Sequence, residues 1–72
     1  MSYKLTFNNL GRSKFSGSVI VKKLDYANLK KAVAPYLRSE PDFQIDEQED
    51  GKLKGTVFAG WYSWYFDIEE LR

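Results

Sequence analysis

The sequence contains no cysteine and no histidine. Without cysteine, the chain can form neither a disulfide nor a thiolate metal site. Without histidine, it lacks the commonest general base and the commonest zinc ligand. Its acidic residues do not follow the spacing of a calcium loop, and its five glycines do not follow that of a phosphate-binding loop. The sequence therefore predicts a protein that is not an enzyme and that uses no metal, no cofactor and no small-molecule substrate.

Long apolar runs are also missing. No stretch approaches the roughly 20 apolar residues that a membrane-spanning helix needs, and residues 1–4 do not resemble the start of a signal peptide. We therefore expect a cytoplasmic protein that makes no use of a membrane. A chain of 72 residues predicts a single domain, residues 1–72, that buries only about 60% of its unfolded surface. The chain contains two Trp, five Tyr and five Phe. Burial of these large side chains should provide the stability that other small domains gain from disulfides or metals.

Charge is sorted along the chain, although the net charge is only +1. Residues 1–38 contain eight Lys or Arg and one acid, whereas residues 39–72 contain nine acids and three Lys or Arg. The first half should attract polyanions, and the second half should repel or imitate them.

Two interpretations follow from this sorting. The basic half could bind nucleic acid through a surface that follows the phosphates, formed by Arg12, Lys14, Lys22, Lys23, Lys30 and Lys31. The sequence pI of about 7.9 is lower than is typical of dedicated nucleic-acid-binding domains. Alternatively, the nine carboxylates could imitate DNA phosphates and occupy a DNA-binding protein, as small phage inhibitors do.

The first half of the chain predicts two strands and a helix. Apolar and polar residues alternate over 3–8, and β-branched residues are concentrated within 15–24, so both segments are typical of strands. Asp25 is a suitable N-cap for a following helix. Pro35 should stop or kink that helix near Ala34, because proline lacks the amide hydrogen that a helix interior requires.

The second half predicts further strands. Residues 43–46 alternate, and Asp50-Gly51 indicates a hairpin leading into a strand that runs toward Ala59. The element order is then β-β-α-β-β. We expect an α+β domain with one antiparallel sheet and one helix packed on one face of the sheet.

Residues 61–66 contain five aromatic side chains. Extended structure through about Ile68 is favoured, with Gly60 as a bulge, bend or tight turn, and the alternative is a short helix capped by Ser63. If the segment is a strand, its two faces point in opposite directions, so the aromatic side chains cannot all be buried. Exposed Trp and Tyr are the residues most enriched at binding hot spots.

The leading hypothesis is therefore a protein–protein interaction module of adaptor or inhibitor type, whose contact residues are Trp61, Tyr62, Trp64 and Tyr65. The partner could be another protein, or a second copy joined through the aromatic strand as a homo-oligomer. Trp61 shares its parity with the aliphatic residues Val57 and Ala59, which predicts that Trp61 is buried and Trp64 is exposed.

Overall fold

A computed structural model describes residues 2–71. The first two strands, β1 (Ser2–Leu10) and β2 (Phe15–Val21), form an antiparallel hairpin. The helix α1 (Tyr26–Val33) follows and leads into a short 3-10 turn at Ala34–Tyr36. Three more strands complete the chain: β3 (Asp42–Glu47), β4 (Leu53–Ala59) and β5 (Tyr62–Leu71).

The expected α+β class, with an antiparallel sheet and one helix, is confirmed, but the element order is wrong by one strand. The five strands have the spatial order β2-β1-β5-β4-β3. Of the bulge, bend or tight turn expected at Gly60, the structure has the tight turn: Ala59 pairs with Tyr62 across two residues, so the chain reverses and a fifth strand follows. The extended structure favoured through about Ile68 is confirmed, because β5 covers that segment, and the alternative helix capped by Ser63 is wrong, because Ser63 lies within β5. Met1 and Arg72, the limits of the predicted domain, lie outside the described residues.

Local signals placed the boundaries of several elements. The carboxylate of Asp25 accepts hydrogen bonds from the backbone N–H of Asn28 at 2.9 Å and from its side chain at 2.6 Å, so Asp25 is the N-cap. The helix α1 ends at Val33, and Pro35 lies in the 3-10 turn. Strand β2 ends three residues earlier than the expected Leu24, because the chain leaves the sheet before the helix cap at Asp25.

The core lies against one face of the sheet, which we call the inner face. Leu29, Ala32 and Val33 of α1 belong to the same buried cluster as strand residues of that face. The strand members are Leu5, Phe7, Leu10, Val21, Val57, Phe66 and Ile68. Cross-strand pairs such as Leu5 with Ile68 show that these side chains share a face. The opposite, outer face carries mostly polar residues.

Gly55 is required by the packing of β5. It is buried opposite Phe66, and a Cβ atom added to Gly55 would collide with the Phe66 ring. The same ring lies 5.1 Å from that of Phe7, centroid to centroid. Phe66 therefore fills the space between β1 and β4 that a side chain at position 55 would occupy.

Phe66→Ala should destabilise the fold by about 3–5 kcal/mol, because it removes a fully buried aromatic ring. Tyr65→Ala, one position away on the outer face, should change the free energy of unfolding by no more than about 0.5 kcal/mol. Urea denaturation followed by circular dichroism measures both. Equal destabilisation by the two variants would contradict the assignment of faces.

The Asp25 cap should make stability depend on pH. The backbone hydrogen bond from Asn28, followed by the side-chain bond, lowers the pKa of Asp25. The capping charge therefore stabilises the fold above the unfolded pKa of about 3.9, and this contribution is lost as the pH falls through the folded pKa. In thermal melts, the melting temperature of the wild type should exceed that of Asp25→Asn at pH 7. The two melting temperatures should become equal at a pH below the folded pKa of Asp25. A difference that is constant with pH would contradict the role of the charge.

Candidate functional site

The turn between β4 and β5 presents the aromatic run at one end of the sheet. Gly60 has φ of 61°, and it is followed by Trp61 in a two-residue loop closed by the Ala59–Tyr62 pair. Glycine with positive φ at the first loop position is what a type II′ hairpin turn requires. The β1–β2 loop, residues 11–14, lies at the same end of the sheet, which we call the two-turn end.

Trp61 is 100% exposed, so the prediction that it is buried is wrong. The chain reverses at residues 60 and 61, so the alternation of buried and exposed residues along β4 does not continue to Trp61. Trp61 therefore contributes no packing to the core of the described domain.

Trp64, predicted to be exposed, is half-buried on the inner face. It lies opposite Val57 on the neighbouring strand and packs against the core cluster. Tyr62 stacks on it with ring centroids 6.0 Å apart and an angle of 26° between the ring planes. Tyr62 itself stays 69% exposed. Trp64 thus joins the core to an exposed aromatic side chain.

The outer face continues the aromatic surface. Tyr65 lies opposite Thr56 and is 67% exposed, and the Nζ of Lys54 lies 5.8 Å from the centroid of its ring. Phe58 lies opposite Ser63 and is 40% exposed. We call Phe58, Trp61, Tyr62, Trp64 and Tyr65 the aromatic tip.

Phe58 is a member that the sequence analysis missed. A signal was present, because Phe58 alternates with Val57 and Ala59, which are both buried. Its parity therefore places it on the polar face of β4 with Lys54 and Thr56, where a large apolar side chain has no core to enter.

The six basic residues proposed for nucleic acid are spread over three places in the fold. Arg12 and Lys14 lie in the β1–β2 loop at the two-turn end, whereas Lys22 and Lys23 follow β2 at the opposite end. The seven residues of β2 separate the two pairs by about 23 Å. Lys30 and Lys31 lie in the last turn of α1.

Lys30 is already paired. Its Nζ lies 2.7 Å from the Glu40 carboxylate. This hydrogen bond, together with the attraction between the charges, raises the pKa of Lys30 and lowers that of Glu40. Both side chains are exposed, so the pair adds little stability. An anionic partner that binds Lys30 would therefore have to break its ion pair with Glu40 first.

The acidic residues of the outer face alternate with lysines. Asp46 lies opposite Lys54, and Lys54 lies opposite Asp67 on the next strand. Lys4 lies opposite Glu69 in the same way. Opposite charges in cross-strand positions attract. On this face the carboxylates therefore do not form the uninterrupted acidic array that imitation of DNA would use.

Within residues 2–71, no group of three or more acidic residues is placed to hold a metal ion. No helix of that part of the chain is long and apolar enough to cross a membrane. Comparison with protein families, curated proteins and solved structures gave no match. Function must therefore be argued from the residues of this chain alone.

Proposed function

We propose that this domain is a non-enzymatic module that binds another protein through the aromatic tip, with Trp61 as the anchor. The observation that carries the proposal is the complete exposure of Trp61 beside exposed Tyr62 and Tyr65. A fully exposed tryptophan buries no apolar surface in the free protein, so it adds nothing to folding stability. In a complex, burial of the same surface would contribute strongly to the binding free energy. Trp and Tyr are also the residues that dominate binding energy at protein interfaces.

The geometry of the turn supports the same proposal. Trp61 projects from a two-residue loop whose ends, Ala59 and Tyr62, are paired in the sheet. A short, paired loop loses little conformational freedom on binding, so more of the contact energy appears as affinity. Because aromatic side chains lie on both faces beside Trp61, the tip suits a partner cleft that receives the end of the hairpin.

Trp61→Ala should leave stability unchanged and weaken partner binding by about 2 kcal/mol or more, or roughly 30-fold in Kd, as expected of a hot-spot anchor. Affinity capture from a nuclease-treated lysate, quantified by mass spectrometry, identifies proteins held by the wild type and released by the variant. Titration of the purified protein then gives the Kd.

Two further variants act as controls. Ile20→Ala truncates an exposed aliphatic side chain on β2, away from the aromatic tip, and should retain the partner. Trp64→Ala should lower the melting temperature, because Trp64 packs against the core. If capture is identical for the wild type and Trp61→Ala, the proposal is wrong.

A second candidate function is binding of single-stranded nucleic acid at the two-turn end. Gly11 of the β1–β2 loop lies against Tyr36 and Leu37, and Gly60 lies beside Ser39. The segment 36–39 therefore connects the two turns into one surface. That surface combines Trp61 and Tyr62 with Arg12 and Lys14, and stacking side chains beside cations are what such binding uses.

This second candidate is the less favoured, because Lys22 and Lys23 lie at the far end of β2. We expect random oligonucleotides to bind no tighter than about 10⁻⁴–10⁻⁶ M at physiological salt, the range of non-specific attraction. A fluorescence anisotropy titration measures this. Submicromolar binding that is lost in both Trp61→Ala and Arg12→Ala would favour nucleic acid over protein as the partner.

A further inference from the structure

We infer that copies of this chain associate head to tail, with the β2 edge of one copy pairing with the β3 edge of the next. Within residues 2–71, β2 pairs only with β1 and β3 pairs only with β4. Each edge therefore offers a row of backbone N–H and C=O groups without a strand partner. Such rows are templates for adding a strand from another chain.

The charge sorted along the sequence falls on these two edges. Residues 11–24, which contain β2, carry four basic residues and no acid. Residues 39–51, which contain β3, carry six acids and no basic residue. Among those six acids, Glu40 is the one that forms an ion pair within the described residues. The molecule is therefore positive at one edge of its sheet and negative at the other.

This polarity selects the partner edge. Pairing of two β2 edges would bring the basic residues together, and pairing of two β3 edges would bring the acids together, so each is opposed by like-charge repulsion. Only β2 with β3 of a second copy joins opposite charges. Strand β2 contains neither a charged residue nor proline, the devices that usually block an exposed edge.

Both ends of each edge have the same sign of charge. Basic residues precede and follow β2 at Lys14 and Lys22, and acids stand at the start of β3 and after its end, at Asp42 and Glu49. Attraction between the edges therefore holds for either direction of strand pairing. Because the two contact surfaces differ, the association does not close as a twofold dimer and produces a ring or an open chain.

Sedimentation velocity at two ionic strengths tests the inference. The protein should sediment as oligomers at about 0.01 M ionic strength and as a monomer at about 1 M, because the Debye length falls from about 30 Å to about 3 Å. Trp61→Ala should behave as the wild type does, so this result is independent of the proposed function. Association that persists at high salt and is lost in Trp61→Ala would instead assign self-association to the aromatic tip and overturn the inference.

Charge reversal gives a sharper test. One variant reverses the β2 edge through Arg12→Glu, Lys14→Glu, Lys22→Glu and Lys23→Glu. The other reverses the β3 edge through Asp42→Lys, Asp46→Lys, Glu47→Lys and Glu49→Lys. Each variant alone carries the same sign on both edges and should be monomeric at low salt, whereas an equimolar mixture should associate again.

Circular dichroism confirms that each variant is folded before mixing. If the β3 variant fails to fold, Glu47→Lys with Glu49→Lys replaces it; residues 39–51 then hold four acids against two lysines, and weaker self-association than in the wild type at low salt is the expected result. A wild type that stays monomeric at low salt up to millimolar concentration would overturn the inference. So would variants that associate as the wild type does, or folded fourfold variants whose mixture stays monomeric.

Discussion

The contact of Phe66 with Phe7 joins the two halves of the sheet. One half is the β1–β2 hairpin and the other is the β3–β4–β5 meander, and across residues 2–71 the sheet joins them only where β1 pairs with β5. Phe66 lies at the end of that pairing, over Gly55 and 5.1 Å from the Phe7 ring. A domain of this size has little core to spare, so loss of this ring would weaken both halves at once.

The aromatic run therefore has two roles along one strand. Phe66 belongs to the core, Trp64 is half-buried, and Trp61 is fully exposed in the turn. Burial decreases from the middle of β5 toward its start because the core ends before the strand does. The part of β5 that extends beyond the core supplies the surface we propose for binding, and the buried part anchors the same strand in the core.

Local sequence signals predicted much of the fold. Asp25, Pro35 and the Asp50-Gly51 turn marked element boundaries correctly. Helix capping by Asp, the missing amide hydrogen of Pro and the positive φ of Gly each act within a few residues. The fifth strand was missed because Gly60-Trp61 lacks the Asn or Asp that makes hairpin turns conspicuous. That error reversed the predicted exposure of Trp61 and Trp64. The four aromatic residues named as partner contacts stay a prediction, and the faces on which they lie depended on a turn that local alternation does not reveal.

The position of the charges could not be predicted at all from the sequence. Sorting along the chain was visible, but strand order is set by long-range pairing, here between β1 and β5. Only that pairing places β2 and β3 at opposite edges. The sequence therefore showed that charge was segregated, whereas the topology shows in which direction the molecule is polarised.

The central position of β5 has a consequence for how the chain folds. The β1–β2 hairpin and the β3–β4 hairpin can each form from neighbouring residues, but β1 must wait for β5, which follows the other four strands in the chain, before the sheet is joined. Loop closure between distant segments is slow compared with local pairing. On the ribosome, the growing chain would thus hold two separate hairpins. The edges of β1 and β4 that later pair with β5 would stay unpaired until β5 emerges and docks between them.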